Sequence, residues 1–197
     1  GVTLPHLKTL LLFGAPVSPR LIKALEGILT QGTTHTPYGS TEFLPVSHIS
    51  GDTILQETTK QSLLGKGTCV GQPMHGTEIK IIAPLEDKPP PSFQALKTLA
   101  PYEIGEIIVR GEQGTPCYYQ KEEATKISKI PDENGLSWHR MGDMGYLDEK
   151  NRLWFCGRKA HMIHWHSKNY YSIPMEAIFN DHKEIRRTAL IQMTPPS

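Results

Sequence analysis

The sequence predicts an α/β fold with a sheet domain over residues 1–158 and the start of a small α+β domain over 159–197. Two observations predict the sheet domain. An almost continuous apolar run, Leu7 to Phe13, precedes a helical pattern, as in a parallel sheet that helices cover. After Thr77 the pattern changes to short alternating strands, which are typical of a β-rich subdomain.

The first elements are expected to form half of a βαβ unit. Leu7 to Phe13 is predicted to be a strand buried on both faces, and Gly14–Pro16 turns the chain. Ser18 suits the N-cap of the following helix, and Pro19 suits its first position. A single buried stripe of this helix is predicted from the spacing of Leu21, Ile22, Leu25, Ile28 and Leu29.

The next strand is predicted around His35–Pro37. The polar segment Tyr38–Glu42 then follows the C-terminal end of that strand, where open α/β sheets place their ligands. Residues 78–82, 106–110 and 153–156 are predicted strands of an antiparallel or mixed sheet, and the proline-rich residues 88–92 a loop.

The last part of the chain is predicted to contain a helix from Pro174 to Phe179 and a strand over residues 188–193. Helix and strand together look like the opening of a small α+β domain. Its boundary is expected between Gly157 and Ala160.

Composition excludes several classes of function. The 197 residues are 38% hydrophobic and 21% charged, with a net charge of +1, so neither nucleic-acid nor membrane-surface binding is favoured. No apolar run approaches the ~18 residues that span a bilayer. Cys69, Cys117 and Cys156 are expected to be buried thiols in a reducing compartment, which indicates a cytoplasmic protein.

Three polar clusters carry residues that suit a nucleotide. In Tyr38–Glu42, Gly39 lets the backbone approach a ligand, a Thr hydroxyl can donate to a phosphate, and Glu42 can bind Mg²⁺. Asp143, in a predicted glycine turn, can accept ribose hydroxyls. Arg158, at the end of a strand, can bind a phosphate. Taken alone, each cluster favours a plainer interpretation. Tyr38–Glu42 would be a surface turn, Asp143 a turn-capping residue and Arg158 a solvated arginine.

A fourth cluster contains His161, His164 and His166. Neutral imidazoles suit zinc or copper, but strand or loop spacing sends the three rings in different directions. This spacing argues against a metal site, and a metal-binding interaction domain stays open as an alternative interpretation of the segment.

In their order along the chain, these segments resemble the adenylate-forming superfamily of AMP-binding enzymes, which includes acyl-CoA synthetases, luciferases and the adenylation domains of peptide synthetases. The resemblance implies that the chain is the C-terminal part of the large AMP-binding domain and the start of the small one. It is carried by Phe13–Pro16, Tyr38–Glu42, Gly71–Pro73, Gly105–Gly111, Trp138–Asp143 and Gly157–Arg158.

The resemblance implies ATP or AMP and Mg²⁺ as cofactors. Adenine would lie against Gly14, Ala15 and Pro16 and stack on Tyr38. Thr41 would bind the α-phosphate, with Gly39 and Ser40 in the same loop, and Glu42 would bind Mg²⁺. Asp143 would bind the ribose hydroxyls, and Arg158 the ribose or phosphate.

A finer resemblance points to the β-lactone synthetase branch of the olefin pathway. It implies a long-chain 3-hydroxy acid as substrate, closure to a β-lactone, and other enzymes of that pathway as candidate partners. A fatty acyl-CoA or acyl-AMP ligase and a catalytically dead nucleotide-binding module stay open as alternatives. The segments concerned are Gly67–Gly71, Trp138–Asp143, Leu153–His161 and Arg186–Leu190.

The resemblance also implies two parts beyond this chain. A phosphate loop with its lysine is expected before Gly1, and the catalytic lysine of the small domain after Ser197. We therefore expect the isolated chain to show no turnover, because both parts stabilise charge on the reacting phosphates.

Overall fold

The computed structural model describes residues 2–133 and 135–193; Gly1 and residues 194–197 lie outside them. The strands are β1 (Thr9–Leu11), β2 (Thr33–Ser40), β3 (Phe43–Ser50), β4 (Thr68–Pro73), β5 (Glu78–Ile82), β6 (Gly105–Arg110), β7 (Lys129–Ile130), β8 (Trp138–Leu147), β9 (Leu153–Arg158), β10 (Ile163–Trp165) and β11 (Lys168–Tyr170). The α-helices are α1 (Pro19–Glu26), α2 (Gly51–Thr53), α3 (Thr59–Gln61), α4 (Glu122–Ser128) and α5 (Ser172–Asn180).

Strands β1 to β9 form one sheet in the order β1-β2-β3-β4-β9-β8-β6-β5, with β7 paired to β8. β1 and β2 run parallel, and the other described pairs of this sheet are antiparallel. The predicted fold class is confirmed, and its parallel character resides in one strand pair of the described residues.

The helix after β1 begins as predicted. Ser18 is its N-cap, with the side-chain oxygen accepting from the backbone N–H of Leu21 at 3.2 Å, and Pro19 is its first residue. Ile22 is fully buried, whereas Leu21 is 47% exposed. The prediction is therefore wrong for Leu21. The helix also ends at Glu26, before Ile28 and Leu29, so Leu29 is buried, as predicted, from a position outside the helix.

The predicted burial of the first strand on both faces is wrong. β1 is the edge strand of the sheet in the described residues, and Leu11 and Phe13 are 54% and 64% exposed. No element among the described residues covers these two side chains.

Strand β4 joins two parts of the sheet, because its two ends pair with different strands. The end of this strand pairs with β3 through Gln72 and Pro73, and its beginning pairs with β9 from Thr68 to Gly71. Gly71 is the last residue of β4 that pairs with β9. Its φ is 89°, and a Cβ there would stand 1.9 Å from the His48 carbonyl oxygen. Only glycine permits both this backbone angle and this approach.

The predicted strands 78–82 and 106–110 are confirmed as β5 and β6. β6 lies between β5 and β8, so it is buried nearly throughout. Its side chains pack on two sides, one against Phe43, Ile79 and Leu153, the other against Trp138. Residues 88–92 form a loop, as predicted.

A buried ion pair connects β6 and β8. Arg140 Nε donates to Glu106 Oε1 at 2.7 Å, with side-chain exposures of 5% and 1%. Arg140 also donates to the Ile127 and Leu85 carbonyls, and Lys159 Nζ lies 3.9 Å from Glu106 Oε2. The pair therefore connects β6 and β8 with α4, with the loop after β5 and with Lys159.

The last segment contains the predicted helix as α5, which packs against β9 and the π-helical turn Ser62–Lys66. The strand predicted at 188–193 is wrong. Backbone N–H groups there bind side chains of α5, Thr188 to Asn180 Oδ1 at 2.7 Å and Leu190 to Glu176 Oε1 at 3.0 Å. A strand ladder would need these donors, so the segment stays irregular. No helix of the described residues has the length and apolar character needed to cross a bilayer.

Candidate functional site

The segment Tyr38–Glu42 closes the hairpin of β2 and β3. Tyr38, Gly39 and Ser40 end β2, and Thr41 and Glu42 form the turn. The pairing register shifts between Tyr38 and Ser40, and a Cβ on Gly39 would stand 2.6 Å from the Phe43 carbonyl oxygen. Gly39 therefore lets the backbone of the hairpin approach itself closely.

Asp143 lies in a strand, not in the predicted glycine turn. Glu106 pairs with Met144 and Ile108 with Arg140, so one residue of β6 stands opposite three of β8. This bulge includes Gly142, at φ 67°. A bulge redirects side chains much as a turn does, and here it accommodates Asp143, which is 4% exposed.

Tyr38 and Asp143 meet across the sheet. The Tyr38 hydroxyl donates to Asp143 Oδ2 at 2.6 Å, and the Tyr38 ring packs against Phe155 with centroids 6.0 Å apart. Burial, followed by the Asp143 charge, raises the pKa of Tyr38 well above its usual value. Tyr38 therefore stays a hydrogen-bond donor over the physiological pH range.

Arg158 completes this group from β9, where it pairs with Asp143 in the strand register. Its Nη1 lies 3.0 Å from Asp143 Oδ1. Burial raises the pKa of Asp143, whereas the Tyr38 hydrogen bond and the Arg158 charge oppose that rise. Arg158 is 56% exposed at its side chain, so it can still reach a ligand while it holds a buried carboxylate.

Glu42 is held by a residue that the sequence analysis did not identify. The Tyr118 hydroxyl donates to Glu42 Oε1 at 2.7 Å. This hydrogen bond is the main reason that the pKa of Glu42 is lowered. The sequence offers no sign of the contact, because 76 residues separate the two positions.

Thr41 and Gly14–Pro16 are not joined by any described hydrogen bond to the group of Tyr38, Asp143 and Arg158. Thr41 is exposed in the hairpin turn, and within the described residues no hydrogen bond links its side chain to Asp143 or Arg158. Gly14–Pro16 follow the C-terminal end of β1, and the Leu12 N–H donates to the His35 carbonyl at 2.9 Å. Because β1 and β2 are parallel, this exposed segment leaves the sheet at the same end as the C-terminal residues of β2, which include Tyr38.

The geometry thus brings together a tyrosine, a buried carboxylate and an arginine. A second carboxylate, Glu42, lies in the turn of the hairpin that carries Tyr38. The family described as AMP-binding enzyme matches residues 2–119 of the chain. The chain belongs to the AMP-binding enzyme family.

Named relatives within the AMP-binding family extend the match over the whole chain. An olefin β-lactone synthetase of Xanthomonas campestris pv. campestris is 40% identical over 100% of this chain and 36% of its own length. That of Stenotrophomonas maltophilia is 37% identical over 97% of this chain and 35% of its own length. The chain thus spans about a third of the length of these relatives.

A solved structure agrees with the described fold of this AMP-binding chain. The o-succinylbenzoate coenzyme A synthetase of Bacillus subtilis, in complex with ATP and magnesium, superposes with a TM-score of 0.70 at 25% identity. The alignment covers 96% of this chain and 34% of that structure.

Two other groups that the sequence analysis singled out lie apart from this site. In residues 2–133 and 135–193, no group of three or more His, Cys, Asp and Glu side chains is placed to hold a metal ion, and His164 Nδ1 instead contacts Asn169 Oδ1 at 2.8 Å. Cys69 and Cys156 are buried as predicted. Cys117 is exposed, which corrects the prediction, because it lies in the irregular stretch before α4.

Proposed function

We propose that this chain supplies the AMP-contacting surface of an enzyme that activates a carboxylic acid as an acyl-adenylate. The observation that supports it is the contact of Tyr38 with Asp143 and of Asp143 with Arg158, on three different strands. In this proposal Asp143 accepts the ribose hydroxyls, Arg158 contacts the ribose or phosphate, and Tyr38 stacks on adenine. The remaining contacts come from Gly14, Ala15, Pro16, Gly39, Ser40 and Thr41.

The residues present fit a magnesium ion at Glu42. The Tyr118 hydrogen bond lowers the pKa of Glu42, so its carboxylate is ionised at neutral pH, and Mg²⁺ prefers such hard oxygen ligands. When bound, the metal would neutralise charge that develops on the phosphate oxygens. In this proposal Thr41, which is exposed beside Glu42, donates to an α-phosphate oxygen.

The proposed reaction has two steps. A carboxylate oxygen of the substrate bonds to the α-phosphorus of ATP, and pyrophosphate leaves. The 3-hydroxyl oxygen of the same acid then bonds to the carbonyl carbon, AMP leaves, and the hydroxyl proton passes to solvent. The product is a β-lactone, and the acid is a long-chain 3-hydroxy acid. The two olefin β-lactone synthetases that resemble this chain at 40% and 37% identity support this choice of substrate.

The proposed division of the chain places residues 1–158 in the large nucleotide-binding domain and 159–197 in the small domain, in the cytoplasm. Arg158, the last residue of β9, would then be the last residue of the large domain.

The test is mass spectrometry of products from the full-length enzyme given ATP, Mg²⁺ and 3-hydroxy acids of graded chain length. We expect equal amounts of AMP and pyrophosphate and a product lighter than the acid by one water. AMP release that requires coenzyme A would instead indicate an acyl-CoA ligase. AMP binding without any AMP formation would indicate a nucleotide-binding module.

A further inference from the structure

The contact between Tyr118 and Glu42 suggests a function for Tyr118, which lies outside the group of Tyr38, Asp143 and Arg158. We propose that Tyr118 is a positioning residue, which orients the Glu42 carboxylate for a divalent cation. This inference rests on the proposed function, because it assigns Mg²⁺ to Glu42. The geometry that supports it consists of a side-chain contact, a backbone contact and a fixed support behind them.

The side-chain contact holds one oxygen of the carboxylate. The Tyr118 hydroxyl donates to Glu42 Oε1 at 2.7 Å. A donor on one oxygen preserves the negative charge of the carboxylate and leaves the other oxygen available to a cation. Mg²⁺ demands nearly ideal octahedral geometry, so a carboxylate with a fixed orientation binds it better than a mobile one.

The backbone contact holds the same residue from a second direction. The Thr115 N–H donates to the Glu42 carbonyl oxygen at 2.8 Å, and Gly114 forms an isolated antiparallel bridge with Phe43. Residues 114–118 therefore fix both the main chain and the side chain at position 42. We call them the clamp segment.

The clamp segment is itself anchored. The Tyr118 N–H donates to Thr125 Oγ1 at 2.9 Å, and Thr125 Oγ1 donates to the Lys121 carbonyl at 3.0 Å, which ties Tyr118 to α4. The Lys129 ammonium, 9% exposed as a residue, donates to the Thr115 carbonyl. Tyr118 thus has little freedom to move away from Glu42.

The experiment compares Tyr118→Phe with Tyr119→Phe in the full-length enzyme. Tyr119 is 85% exposed, so its variant removes the same hydroxyl from a neighbouring ring without touching Glu42. We expect Tyr118→Phe to raise the half-saturating Mg²⁺ concentration for pyrophosphate release about tenfold, as is typical when an outer partner of a metal ligand is lost. Tyr119→Phe should leave it unchanged.

Two measurements without turnover accompany the kinetics. Binding of Mn²⁺ in the presence of ATP, followed by electron paramagnetic resonance, should weaken by a similar factor in Tyr118→Phe. Binding of AMP in EDTA should stay at the wild-type value, because Tyr118 acts on the metal ligand and not on the nucleoside. An equal loss of metal-free AMP binding would show general damage to the fold and would overturn the inference.

The Glu42→Gln background gives an independent check. Removal of the Tyr118 hydroxyl should have no further effect on Mn²⁺ binding there, because the charge that it orients is gone. A full additional effect in Glu42→Gln would overturn the inference.

Two outcomes distinguish an error in the role of Tyr118 from an error in the proposed function. If Glu42→Gln weakens Mn²⁺ binding and Tyr118→Phe does not, the metal stays at Glu42 and Tyr118 has no part in holding it. If the wild-type enzyme does not bind AMP in EDTA, the proposed function itself is wrong.

Discussion

Tyr38 and Asp143 share a 2.6 Å hydrogen bond across 105 residues of sequence, and four strand spacings separate β2 from β8 in the sheet order. In a flat sheet, four spacings of about 4.8 Å would keep the two strands about 19 Å apart. The hydrogen bond therefore exists because the sheet curls back on itself between them. Strand β4, where pairing passes from β3 to β9, is the middle strand between β2 and β8 in the sheet order.

Asp143→Asn should weaken AMP binding while leaving the fold as stable as before or more so. The folded-state pKa of Asp143 is raised by burial, so its charged form is disfavoured in the folded protein, and stability is lost as pH rises through that pKa. The amide removes this cost at neutral pH, and the ion pair that it also removes involves an exposed arginine and contributes little. Loss of charge-assisted bonds to the ribose should reduce AMP affinity about 10- to 100-fold.

Calorimetric AMP titration and thermal unfolding at pH 7 check this prediction together. Arg158→Gln is the companion variant, since it removes the exposed partner and keeps the buried carboxylate. A melting temperature that drops sharply in Asp143→Asn would contradict the sign derived from the pKa.

Tyr38 should contribute to AMP binding mainly through its ring. Stacking of a base on an aromatic ring is worth about 1–3 kcal/mol, so Tyr38→Ala should weaken AMP binding about tenfold or more. Tyr38→Phe keeps the ring and loses only the hydrogen bond to Asp143, so its effect should be several times smaller. Fluorescence titration with an AMP analogue measures both, and equal losses in the two variants would exclude stacking as the main contribution.

Glu106→Gln should cost about 3–5 kcal/mol of unfolding free energy, because it leaves the buried Arg140 guanidinium with only the exposed Asp87 carboxylate, 3.9 Å away, as a counter-charge among the described residues. The matched control is Glu123→Gln, which breaks the exposed Lys126–Glu123 pair and should change the free energy by about 0.5 kcal/mol or less. Urea denaturation measures both variants. Similar losses in the two would mean that burial of the Glu106 pair has no energetic consequence.

Asp148 should support stability at neutral pH and lose that effect in acid. Burial raises the pKa of Asp148, but hydrogen bonds from Trp154 and Arg152 outweigh it, and the net pKa is lowered. A lowered folded-state pKa contributes stability above the unfolded value of about 3.9, which disappears as pH falls through the folded value. Asp148→Asn should therefore cost about 2 kcal/mol at pH 7.

The pH series separates this effect from general destabilisation. The difference in unfolding free energy between wild type and Asp148→Asn should shrink below about pH 4. Glu149→Gln, at the exposed neighbouring position, serves as control. A difference that stays constant from pH 7 to pH 3 would show that ionisation of Asp148 is not responsible.

Local sequence signals predicted the elements that depend on local chemistry. The start of α1 follows from Ser18 and Pro19, and β5 and β6 follow from short apolar runs. The strand expected at 188–193 failed because a strand requires a pairing partner, and its backbone donors bind Asn180 and Glu176. Apolar composition alone does not reveal that competition.

The sequence predicted which residues belong to the candidate site, but it did not predict the contacts between them. Asp143 and Arg158 could be chosen from their residue types and neighbouring glycines, whereas the bulge that holds Asp143 depends on the unequal pairing of β6 and β8. Tyr118 could not be identified from the sequence. Its hydroxyl reaches Glu42 because the clamp segment pairs with Phe43, which is distant in sequence. Long-range contacts of this kind are fixed by the tertiary fold.

A substitution of Gly71 should affect the candidate site in a way that the position of this glycine in β4 does not suggest. The atoms nearest to a Cβ at Gly71 belong to His48 and Ile49, and a single methyl group there would collide with the His48 carbonyl and push β3 and β4 apart. A substitution at this site would then disturb the contact between Tyr38 and Asp143 while both of those residues remained intact. Under the proposed function, variants that lose AMP binding are therefore expected at this glycine as well as at Asp143 and Arg158.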